Sequence, residues 1–329
     1  MSRNPAGWRE AFRLRGVTDL NAAVETVVNR CLAVRPGEDV LVIADPDRVD
    51  IGRALHEGAV RAGGDSVFVL LPPRPERGTE PPATVAAAFA ACDVFLAPCL
   101  PSLSHTKARK AASEKGARGA TLPGVETEMF ARLMSADFDA MVARSEAVAS
   151  LLTEADEAHF TCPHGSDMHF DLSRRAAISD DGAILEPGAF GNLPCGEGFI
   201  APLGGSGVMV ATTVGHFGSA DHEVRLTVED GRLADVSGAL GEQLLAHLTE
   251  HGDDGRHLAE LGVGTNDRAR LGGNLLEDEK VLGTVHVAFG ASAGIGGTVN
   301  VPVHEDSVVV DPTLTIGSTT VIEAGRFLL

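Results

Sequence analysis

The chain has 329 residues, enough for two ordinary domains, and its 44% hydrophobic and 22% charged content is that of a globular protein rather than a disordered one. A formal charge of −19, with Lys and Arg scattered among more numerous acids, argues against a nucleic-acid partner, which needs clustered cations; the acid excess suits solubility or the attraction of cations. No window approaches the roughly 18 consecutive apolar residues of a membrane span. The opening MSRNPAGWREAFRLRG lacks the apolar centre of a secretion signal, so the expectation is a cytoplasmic protein with no membrane partner.

Residues 18–33 place Val24, Val27, Val28, Cys31 and Leu32 on one helical stripe, with Gly37 as a stop. DVLVIAD then predicts a buried strand, VDIGRALHEGAVRAGG a helix and SVFVLL a second buried strand. The cycle repeats through PATVAAAFAAC, DVFLAP, SHTKARKAASEKG, ARGATLPG and TEMFARLM. Buried strands separated by helices define an α/β N-terminal domain, a parallel sheet flanked by helices, over residues 1–157. Its expected role is substrate access, support or dimerisation. No G-x-G-x-x-G follows the first strand and no G-x-x-x-x-G-K-[ST] occurs, so a nucleotide site has no support.

The character changes near residue 158. GVMVATTV reads as a strand, and HEVRLTVEDGRLADVSG as a hairpin closed by Asp-Gly. GALGEQLLAHLTEHG predicts one amphipathic helix, and KVLGTVHVAFG a mostly buried strand. Residues 158–329 are therefore expected to form an α+β C-terminal domain rich in antiparallel strands. GASAGIGG, residues 290–297, precedes a strand rather than opening a helix and reads as a turn, not a phosphate cradle.

Several segments of this second half carry isolated polar groups. VPVHEDSVVV, residues 301–310, interrupts a run of valines with His304, Glu305 and Asp306. Strand alternation puts His304 and Asp306 on one face and Glu305 on the other. An edge strand turned toward water is the plain alternative. In GTVHVAFG, His286 faces away from Val285 and Val287, which suits a core histidine as well as a ligand. GNLPCGEGFIAP sets Glu197 on a turn, and HLAELGVGTN sets Glu260 near a helix C-terminus, a poor place for a carboxylate unless a cation is near. Three carboxylates and two imidazoles in apolar, glycine-flanked segments suit a metal site. The cysteines do not: Cys31, Cys92, Cys99, Cys162 and Cys195 are odd in number and lack a C-x-x-C pair, and Cys162 with His164 reads as incidental.

The ordered set NLPCGEGFIAP, AELGVGTN, DEKVLGTVHVAFG and VHEDSV resembles the M29 metallopeptidases, the aminopeptidase T and aminopeptidase S group, particularly its shorter members. Upstream, PSLSHTKARKAASEKGARGATLPGV is similar to that family's Thr/Ser-His-Thr-x-Ala-Arg segment, and GSDMHFDLSRR to its Gly-Thr-Asp-Leu element. The resemblance implies that Glu197, Glu260, His286, His304 and Asp306 bind two divalent cations, zinc, cobalt or manganese, with one carboxylate shared. Two dications and three carboxylates leave one positive charge, which a bound hydroxide balances. It further implies a homodimeric hydrolase that releases N-terminal amino acids from short peptides or cleaves a related small amide. Two cations suit such chemistry by acidifying bound water and polarising the scissile carbonyl.

By the same resemblance Glu279 is a candidate general base, although it lies seven residues before His286, two further than in the long aminopeptidases. A surface charge within the acidic run Glu277–Glu279 is the alternative. The long aminopeptidases also carry a tyrosine seven residues after the corresponding His; this chain has no tyrosine, and that count reaches Ala293. His105 is a substitute donor for an oxyanion, or a helix cap or substrate contact, with Ser104 the better N-cap by residue type. Two other functions stay open. One is ring cleavage by a mononuclear Fe(II) dioxygenase of the 2,5-dihydroxypyridine type, with His286, His304 and Asp306 as its triad. Those oxygenases carry a His where this chain has Glu260, so the two intact glutamates favour the hydrolase. The other is a catalytically degenerate metal-binding homologue, consistent with the absent tyrosine.

Overall fold

Short β-branched runs alternating with amphipathic helices build the first sheet of this computed structural model, which describes residues 17–72, 79–100, 102–173 and 175–329. The N-terminal stretch without a secretion pattern, residues 1–16, lies outside the described residues. Helix α1 (Val17–Glu25) runs into a π-helical turn at Thr26–Cys31, followed by β1 (Asp39–Ala44), α2 (Val49–Arg61) and β2 (Asp65–Leu70). Then come α3 (Ala83–Phe89), β3 (Val94–Ala97), α4 (Lys107–Glu114), β4 (Arg118–Thr121), α5 (Thr127–Leu133) and α6 (Phe138–Glu154).

These strands pair in parallel in the order β2-β1-β3-β4. Alternation divides their side chains between two helical layers. Val40, Val42, Val94 and Leu96 pack with Val24, Val28, Ile51 and Leu55 on one face, and Leu41, Ile43 and Phe95 with Val85 and Phe89 on the other. Strand β2 departs from the expectation of a buried strand. It is the sheet's edge, where Val67 is 59% and Leu70 52% exposed. The cap of α4 also differs from expectation. Thr106 caps it by accepting the Arg109 N–H, while the Ser104 hydroxyl is tied to Thr121 at 2.6 Å.

The second half continues with β5 (Glu157–Thr161), β6 (Asp167–Asp171), β7 (Ile178–Asp180), β8 (Phe190–Asn192) and β9 (Glu197–Ile200). It goes on through β10 (Gly204–Val214), β11 (Gly218–Glu229), β12 (Arg232–Ser237), α7 (Ala239–Thr249), α8 (Gly252–Gly255) and β13 (Leu258–Gly264). The last elements are α9 (Leu275–Asp278), β14 (Val285–Gly290), β15 (His304–Val309), β16 (Thr313–Ile316), β17 (Thr319–Glu323) and β18 (Arg326–Phe327).

Strand β8 adds in parallel beside β4 and completes the first sheet. The others form an antiparallel sheet in the order β18-β17-β16-β5-β6-β10-β15-β14-β13-β9-β7, with β11 and β12 branching from β10. The expected hairpin is present: Asp230 and Gly231 take φ of 47° and 71°, the left-handed pair that a two-residue turn between twisted strands requires. Leu244 and Leu248 of α7 and Val148 and Leu152 of α6 join one large core with Leu261, Val263, Val285, Val287 and Phe289. Among the described residues no helix is long and apolar enough to cross a membrane.

One alternative is set aside and one expectation is corrected. VHEDSV is not an edge strand: β15 lies between β10 and β14, paired on both sides. Glu260 is not at a helix end: it lies within β13, where pairing with β14 and β9 overrides the helix-forming residues of HLAEL.

Candidate metal centre

Four neighbouring strands, β9, β13, β14 and β15, bring the polar groups together through register alone. Gly264 pairs with Glu197, Glu260 with Ala288, Gly262 with His286, Ala288 with Asp306 and Gly290 with His304. Paired residues share a face, and so do residues two apart on one strand. Glu197, Glu260, His286, His304 and Asp306 therefore project from one face, separated by Gly262, Gly264, Ala288 and Gly290. The small residues are required: a Cβ on Gly262 would collide with the His286 ring.

His286 Nε2 lies 3.2 Å from both Glu197 Oε2 and Glu260 Oε1. On the other side, His304 Nε2 lies 3.4 Å from Glu260 Oε2 and 3.7 Å from Asp306 Oδ2. The two donor triplets, Glu197–Glu260–His286 and Glu260–His304–Asp306, thus share Glu260, one oxygen to each. Tetrahedral bonds of about 2.1 Å to a divalent cation need donor spacings of about 3.4 Å, close to those seen.

The orientation of His304 is informative. Its Nδ1 donates to the Ala291 carbonyl at 2.7 Å, so the neutral ring turns the Nε2 lone pair toward two carboxylates. Lone pairs facing one another need a proton or a cation between them. Among the described residues, Glu197 Oε2 and Asp306 Oδ1 are buried without a hydrogen-bond partner, which costs free energy in a cation-free site. These donors fit divalent metals. Protons stand in where none is bound. Burial alone lowers the His286 pKa, but the facing carboxylates of Glu197 and Glu260 hold it well above the ordinary value. His304 is likewise raised, with Asp306 and Glu260 outweighing burial.

Glu279 joins this group and is not a surface charge. Glu277, Asp278 and Glu279 are all buried: Glu277 accepts from Arg132, and Asp278 from Thr213 and the Gly272 and Gly273 N–H groups. Burial pushes the Glu279 carboxyl up to about 7, with Lys280 opposing and Asp306 and Glu197 reinforcing the shift. Lys280, which sequence reading did not single out, is 1% exposed. Its Nζ lies 2.5 Å from Glu197 Oε1, 2.9 Å from Glu279 and 3.8 Å from Asp180, a fifth carboxylate missed in sequence. Asp180 pairs with Glu197 between β7 and β9, and burial first, eased by Lys280, pushes its pKa up to about 8. Within an acidic run a single lysine carries no local signal; burial alone distinguishes it.

His105 precedes the cap of α4, and its ring is open to solvent, which moderates any shift. Surrounding protein first and the charge of His304 second lower its pKa. Ala293, at the position of the missing tyrosine, lies in the turn Ala293–Ile295.

A parallel sheet joined to a large antiparallel sheet is the fold class of the M29-type enzymes. The structure of AmpT from Thermus thermophilus aligns with TM-score 0.71 at 20% identity, over 95% of this chain and 99% of that one. That of 2,5-dihydroxypyridine dioxygenase from Pseudomonas putida KT2440 aligns with TM-score 0.77 at 21% identity, over 94% and 96%. At these identities the likeness is one of fold. A 130-residue stretch is 28% identical to aminopeptidase AmpS of Bacillus subtilis strain 168, covering 37% of this chain and 32% of that protein, about a third of its length. The family itself is defined more directly. Residues 19–329 match the NicX family, 2,5-dihydroxypyridine 5,6-dioxygenase, and the chain belongs to that family. The M29 resemblance thus holds at the level of fold, and its peptidase assignment does not follow from it.

Proposed function

We propose that this chain is a hydrolase working with two divalent cations, zinc, cobalt or manganese, and that it cleaves the amide next to a free amino group in short peptides or amino-acid amides. The observation that carries this reading is the division of Glu260, whose two oxygens face different donor triplets. Glu197, His286 and Glu260 Oε1 would hold one cation, and Glu260 Oε2, His304 and Asp306 the other. Such a pair, when bound, supplies an acidified water and a polarised carbonyl. With every carboxylate ionised, Asp180, Glu197, Glu260, Glu279 and Asp306 oppose the single ammonium of Lys280, and two dications would balance that full charge; in the cation-free site protons on Asp180 and Glu279 meet part of it.

The remaining groups have distinct tasks in this reading. Lys280 holds Glu197 Oε1 and leaves Oε2 free to ligate. Glu279, with a carboxyl poised near neutrality, takes and returns a proton. His105, kept neutral, offers an N–H donor to the developing oxyanion in place of tyrosine.

A second reading is favoured by the family match over residues 19–329: ring cleavage of a dihydroxypyridine with one Fe(II) on His286, His304 and Asp306. Glu197 then stays paired with Lys280 and takes no part. The two separate in one experiment. Metal-free protein is loaded with zinc, cobalt, manganese or Fe(II), then assayed for amine release from dipeptides and aminoacyl amides and for oxygen uptake with 2,5-dihydroxypyridine. Amine release with the first three metals supports the hydrolase. Oxygen uptake confined to Fe(II) overturns it, and metal binding with neither activity indicates a degenerate homologue.

A further inference from the structure

Strand β15 carries a second constellation on its reverse face. Glu305, between His304 and Asp306, points away from the site described above and is 2% exposed. Its Oε2 accepts the His216 backbone N–H at 3.0 Å, and its Oε1 lies 2.8 Å from His216 Nδ1. From α7, His247 Nε2 stands 3.7 Å from the same Oε1, too far for a hydrogen bond. The turn Gly215–Phe217 is shaped around this carboxylate: Gly215 takes φ +50°, and a Cβ there would meet Glu305 Oε2 at 2.7 Å. One donor atom from each of His216, His247 and Glu305 lies within 4.8 Å of the others.

We propose that Glu305, His216 and His247 form a further divalent-cation site of the zinc class, distinct from the Glu260 cluster on the other face of the sheet. Two imidazoles and a carboxylate are a borderline-soft donor set that suits zinc or cobalt. The Glu305 spacings of 2.8 and 3.7 Å bracket the roughly 3.4 Å edge of a tetrahedral zinc site, so small side-chain movements admit the ion. The His216 and His247 side chains are 29% and 32% exposed, which gives an ion a path from solvent and leaves room for a water as fourth ligand. Ligation through His216 Nδ1 takes the neutral tautomer that carries its proton on Nε2, so the ion stands in the place of the proton between Nδ1 and Glu305. The ion then ties β15 to the Gly215–Phe217 turn and to α7, steadying the strand that presents His304 and Asp306 on its opposite face. His247 also neighbours Glu250 and His251, but Glu250 is exposed, whereas Glu305 is a buried anchor.

The test is a Zn2+ titration of metal-free full-length protein against a chromophoric chelator, read as a difference from wild type and so independent of how the Glu260 cluster is used. His247→Ala is expected to bind one equivalent fewer than wild type and to lose the part of the zinc-induced rise in Tm that the site supplies. Glu305→Gln, which keeps an acceptor for the His216 N–H, is expected to lose the same equivalent, and this variant decides the matter should His247→Ala fold poorly. His251→Ala is expected to keep it. Unchanged zinc equivalents in both His247→Ala and Glu305→Gln overturn the proposal. So does loss in His251→Ala with retention in Glu305→Gln, which places the ion on the helix surface instead.

Discussion

The two faces of β13 and β14 differ as sharply as any two regions of the molecule. One face carries Leu261, Val263, Val285, Val287 and Phe289, all fully buried in the main core. The other carries Glu260 and His286 with Gly262, Gly264 and Ala288 between them. Each residue on one face has chain neighbours on the other, so strand alternation separates stability from chemistry within single segments. Large apolar side chains fill one side to native density, and small residues keep the other open.

Adjacent residues give the widest test of this division. Glu260→Ala is expected to strip the cluster of its cations and lower turnover by about a thousand-fold or more, since the metals supply several kcal/mol of transition-state stabilisation. Metal analysis with steady-state assays reads that result. Its neighbour Leu261→Ala should behave oppositely, losing about 2–5 kcal/mol of stability in a denaturant titration while keeping the metal content of wild type. Equal effects of the two on metal content would erase the distinction between the faces.

Smaller effects sharpen it. Gly262→Ala pushes the His286 ring aside, so the ion on that ring's side should be lost with about 1–3 kcal/mol of stability, measurable by metal analysis and chemical unfolding. Lys280→Met releases Glu197 from its fixed pose and is expected to weaken metal affinity by about 10–100-fold in competition titrations. Least in size is a pH effect. Folded Glu279 and Asp180 have pKa values raised to about 7 and about 8 from ordinary carboxylate values, so the folded state holds more protons than the unfolded one. Their stabilisation is complete below about pH 4 and is lost as pH rises through 7 to 8; the raised His286 and His304 act in the same direction. Metal-free protein should therefore lose several degrees of Tm between about pH 5 and 8, and the bound cations, replacing those protons, should flatten the slope.

What sequence made legible follows the same physics. The period-two spacing of His304 and Asp306 and the valine-flanked His286 are local facts, and β14 and β15 display them as read. His-Leu-Ala-Glu-Leu has helix-forming residues and so predicts a helix end at Glu260, whereas its strand conformation comes from partners far along the chain. Glu305 faces away from the cluster as alternation requires, yet its burial depends on a turn 89 residues earlier. Lys280 and Asp180 were invisible for that reason as well. An ion pair joining β7 to the segment after α9 is a tertiary property with no signature at either end. Strand β8 likewise gave no sign that it closes the first sheet.

The sharing of Glu260 is the claim on which the proposed chemistry turns. Elemental analysis of zinc-reconstituted wild type and Glu260→Ala, at matched concentration and with folding checked by circular dichroism, tests it directly. Loss of two ions per chain in the variant is the predicted result; loss of one ion, or of none, contradicts it.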